Sequence, residues 1–566
     1  MKQLTFLIIG AGSRGSAYAR AITSSTRARI GAVAEPDPYK RRRLGQKYVW
    51  GDRAPNTGED FDGWESWIEY ETERRRRHQA IANADTEGEG EVAGGVDGVL
   101  ICTLDETHIL ILRALAKANL LDLHVLCEKP LALSLDDCLN VYAAYTRQPR
   151  SIFSIGHVLR YSPHNLLLRR LVREDKVIGD IVSVEHTEPV GYWHFAHSYV
   201  RGNWRRETEN GDGSLLTKSC HDVDFLLWLV EGAVTSPSPT SAYNSVSNSD
   251  GDGDGKRKLK LRTVSSTGYL TQFTPSQKPP AAGSATNCTS CPIERDCMYS
   301  AIRIYRDNQL RKGKSGWPVK IVCPDIEDYL PSPHSKDGNG TEDGNFVENE
   351  TGGDLNTAEH HLLSSLQQDY DDNTPEEIIK RRPWYGRCVW ESDNDVVDDQ
   401  FVTLAWDVLP SSSSSSQPNT RSINKGKGPG VTANLHMIAP TQAQCVRRGR
   451  IYGTHGEITY TSSSITIHTF ADNETRIIEI PKQPPEEEEA HGGGDYGLAR
   501  GFVGAVEKVV NEGWEVERAQ RMFVGCSLDD VIKSHGVVFA AEESRRHEGV
   551  VKWGEWWEGK LAGVGL

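Results

Sequence analysis

The chain has 566 residues, 37% of them hydrophobic and 25% charged, and a formal net charge of −15. That is room for two or three cored domains of ordinary composition. The acidic balance argues against a nucleic-acid-binding surface, eleven cysteines in this length do not make a disulfide scaffold, and no apolar run approaches the roughly twenty residues that span a bilayer. A reducing, cytoplasmic location without membrane partners is the expectation.

In chain order, the apolar run Leu4 to Ile9 reads as a buried strand, and Ser16 to Ile22 as a helix. Between them lies Gly10-Ala11-Gly12-Ser13-Arg14-Gly15. A second strand, Ile30 to Ala34, ends in Glu35. Strand, glycine loop, helix, strand and acid in this order make a dinucleotide-binding unit. Gly10 permits the tight turn, Gly12 lets the backbone approach a pyrophosphate, and Gly15 lets helix and sheet pack closely. The helix N-terminus offers unpaired N–H groups to phosphate. Glu35, about twenty residues beyond the loop, would accept bonds from the ribose hydroxyls and repel a 2′-phosphate. Arg14 and Arg41 to Arg43 pull the other way, so NAD is expected and NADP is left open.

Further strands are expected at Val96 to Thr103 and His124 to Cys127, with helices at His108 to Ala118 and Ser134 to Thr146. Alternating strands and helices imply a doubly wound parallel sheet over residues 1–150. Residues 151–566 differ in texture. Ile181 to Thr187, Asp399 to Val408, Thr432 to Ile438, Arg450 to Tyr460, Ser464 to Phe470 and Thr475 to Ile480 alternate apolar and polar residues, as in a largely antiparallel sheet. Helices are expected at Phe225 to Val230, around Phe502 to Val510, and at Leu528 to Glu543. Four polar stretches read as mobile surface insertions: about 56–95, 236–256, 331–372 and 411–430. The basic runs Arg74 to Arg77 and Lys256 to Lys260 read as solvated loops, and 486–495 as an exposed connection.

Chemistry concentrates in three segments. Glu128-Lys129-Pro130 ends a strand at the sheet edge where open α/β sheets bind ligands. A pre-proline lysine there is held out of the ladder and pointed into the crevice. Desolvation beside a cofactor lowers its pKa toward a useful range. The second segment, Gly211 to Asp224, carries Thr217, Lys218, His221 and Asp222 ahead of the Phe225 helix; its bland reading makes His221 and Asp222 helix caps. The third gathers His157, Arg160, Tyr161, Tyr192, His194, His197, Arg201, Trp204 and Arg205, a density of rings and cations that suits a sugar.

The glycine loop, Thr103 with His108, and Glu128-Lys129-Pro130 together resemble the glucose–fructose oxidoreductase and inositol dehydrogenase (Gfo/Idh/MocA) family. The resemblance resumes from Gly156 to about Gly232. It implies a two-domain oxidoreductase moving a hydride between nicotinamide and a secondary alcohol of a sugar, inositol or related polyol. It assigns Lys129 to the reacting hydroxyl and His221 beside it, with Gly10, Gly12, Ser13, Arg14, Gly15, Glu35, Thr103, His108, Glu128 and Lys129 around the cofactor. The family's aspartate four residues before the histidine is missing, and Thr217 stands there. Lys218 is therefore read as a second cation for the substrate and His221 as a neutral base. Arg160, Tyr161, His194, His197, Arg201, Trp204 and Asp224 are the expected substrate residues, and a homo-oligomer is implied. Two other readings stay open: a glycosidase or lyase using transient oxidation, and a catalytically idle nucleotide-binding regulator. Cys288-x2-Cys291-x5-Cys297, with Cys323 and Cys388 further on, has tight thiolate spacing in its first pair, but the fourth ligand is unidentified and no metal is assigned.

Overall fold

The computed structural model describes residues 1–83, 94–146, 150–208, 213–231, 258–330, 354–409 and 430–564. The expected insertion 236–256, and most of 331–372 and 411–430, lie outside the described residues.

The first sheet is parallel, in the order β3-β2-β1-β4-β5-β6. Its strands are β1 Thr5–Ile9, β2 Arg29–Ala34, β3 Asp60–Phe61, β4 Gly98–Ile101, β5 His124–Cys127 and β6 Phe153–Ile155. The crossovers are helices α1 Ser13–Ser25, α2 Pro38–Gly45, α3 Trp64–Asn83, α4 Asp105–Lys117 and α5 Leu135–Thr146. Strands β1, β4 and β5 are buried along their whole length, which is why they read as unbroken apolar runs. The sheet takes in β6, a few residues past the expected boundary at 150, and then α6, Pro163–Arg173, begins the second body.

The second sheet has nine strands in the order β14-β13-β12-β11-β7-β10-β9-β8-β15. They are β7 Ile181–Pro189, β8 Lys258–Tyr269, β9 Asp399–Leu409, β10 Val431–Ile438, β11 Arg448–Gly453, β12 Gly456–Thr461, β13 Ile465–Thr469, β14 Glu474–Ile478 and β15 Val550–Lys552. Only β7 and β10 run parallel; the other neighbours are antiparallel. The stretch expected as one strand from Arg450 to Tyr460 is a hairpin, β11 and β12, with its turn at Thr454 and His455. Among the described residues no helix is long and apolar enough to cross a membrane.

Three expected loops are corrected. Much of 56–95 is the helix α3, where Glu71 pairs with Arg74 and Arg75, and Glu73 with Arg76 and Arg77. The basic run is thus half of an i,i+3 and i,i+4 charge ladder, and Trp67 anchors the helix in the core. Residues 355–367 form a helix whose Ala358, Leu362 and Leu366 are buried at i, i+4, i+8. The run at Lys258 belongs to β8. The connection 486–495 is also not wholly exposed: Asp495 is buried at the start of the helix Gly494–Glu512.

Candidate active site

Gly10 has φ +97°, and a Cβ there would lie 2.7 Å from the Cys102 carbonyl oxygen. A Cβ on Gly15 would lie 2.1 Å from the Gly10 carbonyl oxygen. Both positions therefore require glycine, one for the turn and one for helix against loop. Above Gly12 nothing lies within 4 Å, and Ser13 beside it is exposed. Helix α1 starts there without a side-chain cap and without an acid in its first turn. Open space over an uncapped helix N-terminus is what a pyrophosphate needs, so the loop fits a dinucleotide. Glu35 accepts from the Ala11 amide at 2.7 Å and the Asp37 amide at 2.9 Å, one bond per oxygen, which leaves acceptor capacity for a ribose.

Other loop residues stand differently from the sequence expectation. Arg14 is not free for a phosphate: it donates to Glu128 at 2.6 Å and forks onto both oxygens of Asp495 at 3.1 and 2.8 Å. Tyr18 also donates to Glu128, at 2.6 Å. Burial pushes the Glu128 carboxyl up, but Arg14 and Tyr18 outweigh it and hold the group below the ordinary range. Glu128 is thus the centre of a knot behind the loop, held by Arg14 and Tyr18. His108 is fully buried, with Nδ1 2.7 Å from the Pro130 carbonyl oxygen and Nε2 3.2 Å from that of Thr103. It staples the half-buried Thr103 loop to the Lys129-Pro130 turn. Of the arginines after β2, Arg41 pairs with Asp60 at 2.8 Å and Arg43 with Glu327 at 3.1 Å.

Lys129 leaves the end of β5 and its Nζ donates to the Thr217 carbonyl at 2.5 Å. The missing family carboxylate is therefore replaced, in part, by a main-chain oxygen. His221 sits one turn on, in the helix Cys220–Val230, close enough to Lys129 that the ammonium adds to burial in holding the imidazole neutral. Its Nδ1 is buried without a hydrogen-bond partner. The His221 ring packs edge-on against His157 at 5.8 Å, and His157 against His535 at 5.7 Å. A carboxyl that sequence reasoning missed, Asp105, opens α4 near Lys129. Burial pushes it up to about 6 against the pull of Lys129 and His108. Trp204 donates its indole N–H to Asp105 at 2.9 Å, bringing an expected substrate residue to the crevice.

Lys218 points into a buried charge cluster, where Nζ lies 3.2 Å from Glu188 and 3.1 Å from the Cys445 sulfur. Burial lowers its pKa, but Cys445 and Glu188 reverse this and the ammonium persists. Arg447 bridges Glu188 at 3.0 Å and Asp222 at 2.6 Å, and Asp222 also faces His186 at 2.8 Å. Asp222 is therefore an ion-pair partner and not a cap; the helix makes no side-chain cap bond. His194 approaches the cluster through Cys445, at 3.4 Å. Five expected substrate residues are drawn away. Arg160 forks onto Asp224 with two 2.7 Å bonds, and both are buried. His197 packs against Tyr305 at 2.9 Å, and Arg201 is buried among backbone carbonyls and sulfur. Tyr161 is buried behind the helix Gly494–Glu512. Of that set, Trp204 reaches Asp105, and His194 reaches Cys445 beside Lys218.

A doubly wound sheet with a glycine loop at its first turn, and a lysine and an imidazole facing each other at its edge, defines a two-domain dinucleotide-binding protein. Residues 4–157 match the family model described as "Oxidoreductase family, NAD-binding Rossmann fold", and residues 169–252 match the same family's C-terminal alpha/beta domain. Both matches are to the Gfo/Idh/MocA oxidoreductase family.

Among curated proteins it is 31% identical over 135 residues to a 2,7-anhydro-N-acetylneuraminate hydratase of Escherichia coli K12, covering 24% of this chain and 34% of that one. It is 30% identical over 136 residues to inositol 2-dehydrogenase 2 of Saccharopolyspora erythraea, covering 24% and 35%. Over 246 residues it is 26% identical to an inositol 2-dehydrogenase of Rhizobium meliloti, covering 42% and 58%. The chain thus spans about a third of the length of the first two relatives. An Agrobacterium radiobacter oxidoreductase, solved with NAD+, L-tartaric acid and magnesium, shares the fold with a TM-score of 0.52 at 12% identity, over 98% of this chain and 100% of that one. A levoglucosan dehydrogenase solved with NADH and levoglucosan does so with a TM-score of 0.52 at 14% identity, over 97% and 99%.

Proposed function

We propose that the protein is an NAD-dependent dehydrogenase of a secondary alcohol on a cyclic polyol or sugar, with inositols the first class to try. The observation that carries this reading is the orphaned Nδ1 of a neutral His221 beside the Lys129 ammonium. A buried nitrogen without a partner is a place for a ligand hydroxyl. Bound NAD supplies the hydride acceptor and carries the hard chemistry. Gly10 and Gly15 shape the phosphate turn, Gly12 leaves it open, and Glu35 holds the ribose. Lys129, fixed by the Thr217 carbonyl, donates to the substrate oxygen and stabilises negative charge on it. His221, kept neutral, takes the hydroxyl proton. Lys218 and His194 border the polyol, and Trp204 and Asp105 stand near Lys129. Arg14 is spent in ion pairs and Arg41 faces Asp60, which favours NAD over NADP.

We place this enzyme in the cytoplasm as a homo-oligomer joined through the less covered face of the second sheet, where Val182 and Phe401 are exposed; light scattering on the purified chain tests the assembly. For the activity, the test is a panel of inositols and sugars with NAD, read by absorbance of the reduced cofactor. The expected result is net reduction with at least one cyclic polyol. Lys129→Ala should keep NADH binding and lose about 10²–10⁴-fold in turnover; unchanged turnover removes Lys129 from the chemistry. Glycoside cleavage without net reduced cofactor would instead support transient oxidation. Tight NADH binding with no turnover would support a regulator.

A further inference from the structure

The cysteine motif left unassigned by the sequence closes around a single point. A small cavity is lined by Cys288, Cys291, Cys297 and Cys388, with Arg201 on its wall. Its free space of about 10 Å³ takes one small sphere and no organic ligand. Two segments remote in sequence meet there. Asn287 and Arg387 form an antiparallel bridge, the Cys288 amide donates to the Gly386 carbonyl at 2.8 Å, and the Cys388 amide to that of Thr286 at 2.7 Å. The bridge sets Cys388 beside Cys288. Cys323, the other candidate, does not line this cavity, and its thiol donates to the Ser365 hydroxyl at 3.1 Å.

Hydrogen-bond donors converge on these sulfurs, although burial pushes the Cys297 and Cys388 thiols up. Cys288 accepts from the Ala301 amide at 3.4 Å and from Arg201 at 3.3 Å. Cys297 accepts from the amide of Tyr299, and Cys388 from that of Trp390, each two residues on. Arg201 is only 1% exposed. Its other bonds go to the carbonyls of Arg387 and Tyr299. Among the described residues it forms no ion pair with a carboxylate, and its Nη1 has no hydrogen-bond partner, although the Tyr305 hydroxyl lies close by. A buried guanidinium without a counter-charge is strongly disfavoured. Four thiolates around one divalent ion carry a net charge of about −2 and provide that counter-charge.

We propose that Cys288, Cys291, Cys297 and Cys388 form a structural tetrathiolate site for one zinc ion, with Arg201 as its buried counterion. No ready-made metal geometry stands among the described residues, so the four side chains must turn inward to close on the ion. Each cysteine thiol releases its proton to solvent as it binds the ion, and no electron is transferred. The cavity is too small for an iron–sulfur cluster. Its counterion Arg201 lies three residues before Trp204, so the site also steadies the loop that reaches Asp105 at the crevice.

The full chain, purified without chelator, should carry about one zinc per molecule. Cobalt(II) titrated into the metal-stripped chain should give the intense visible bands and sulfur-to-cobalt charge transfer of a tetrahedral tetrathiolate. Cys388→Ser and Cys291→Ser, the latter at a partly exposed position, should each weaken metal binding at least about tenfold and alter those bands. Cys323→Ser should leave them unchanged. A chain that takes up neither zinc nor cobalt would overturn the proposal. So would a cobalt spectrum indifferent to Cys388 and Cys291, one lost with Cys323, or stoichiometric iron with labile sulfide.

Discussion

Asp105 and Lys129 show how this crevice balances charge without the family's aspartate. The acid that stands near the ammonium comes from the start of α4, and burial has pushed it up to about 6. An acid whose folded pKa lies above its unfolded value keeps a proton on folding. Its penalty is therefore absent in acid and grows as pH rises from about 4 to about 6. Asp105→Asn preserves an acceptor for the Trp204 indole and removes that penalty. It should raise stability at pH 7 by about 3 kcal/mol and leave it unchanged at pH 3, as read by urea unfolding at both values. If Asp105 also tunes Lys129, the acid limb of the pH–rate profile near 6 should disappear in the same variant; a limb that persists assigns it to another group. Glu128-Lys129-Pro130 and His221 were legible in the sequence because each is a short-range pattern tied to a strand end or helix start. Asp105 lay unread beside Thr103 and His108, its environment made by Lys129 and Trp204 from other segments. Cys445, Arg447 and Glu188 gave no local signal. Arg160, Asp224, His197 and Arg201 were misread for a physical reason: a charged residue matched by a buried partner looks, in one dimension, the same as one awaiting a ligand.

At the scale of elements, Arg14 ties α1 to the end of β5 and to the helix Gly494–Glu512. Its partners Glu128 and Asp495 have side chains 7% and 3% exposed. Arg14→Ala leaves two buried carboxylates without their cation, and should destabilise the chain by about 3 kcal/mol or more, read by urea unfolding at pH 7. Burial raises the Asp495 carboxyl, but Arg14 and His491 overcome it and hold the group far below the ordinary range. That contribution is present above about pH 4, where an unfolded aspartate is ionised, and is lost only as strong acid protonates the folded carboxylate. The Arg14→Ala deficit should therefore shrink at low pH; a deficit constant down to pH 2 would show that packing and not charge carries it. The same comparison explains what patterning missed. β1, β4 and β5 were readable because burial on both faces demands apolar runs. Helix α3 was not, since its stability comes from Glu–Arg pairs and a buried Trp67 in a stretch whose composition resembles a disordered segment. Strand β15 is three residues long and exists only as a partner for β8.

Across the whole molecule, the histidines set the response to acid. Burial lowers the pKa of His124 to about 4, and of His197 and His535 to about 3. It also lowers His157, His194 and His221. Several are locked in the neutral form by geometry: His535 accepts the Leu131 amide on Nε2 at 2.9 Å and faces the Val531 carbonyl oxygen through Nδ1 at 2.8 Å. A base whose folded pKa lies below its unfolded value binds its proton only after unfolding, so stability falls as pH drops below about 6.5. Each such histidine contributes about 1.4 kcal/mol per pH unit once well below that point. Asp105, Glu207 and Asp395, whose carboxyls burial raises, oppose the slope because the folded chain retains their protons. With six lowered histidines against three raised acids, the unfolded chain binds more protons between pH 6 and pH 5, and stability falls there as pH drops. The expected outcome is a melting temperature that falls steeply over that interval, above the range where ordinary carboxylates titrate, with calorimetry in buffers of differing ionisation enthalpy showing proton uptake on unfolding. A melting temperature flat from pH 7 to pH 5 would mean that these imidazoles find water or counter-charges on acidification, and that the row from His221 through His157 to His535 is open enough to protonate without unfolding.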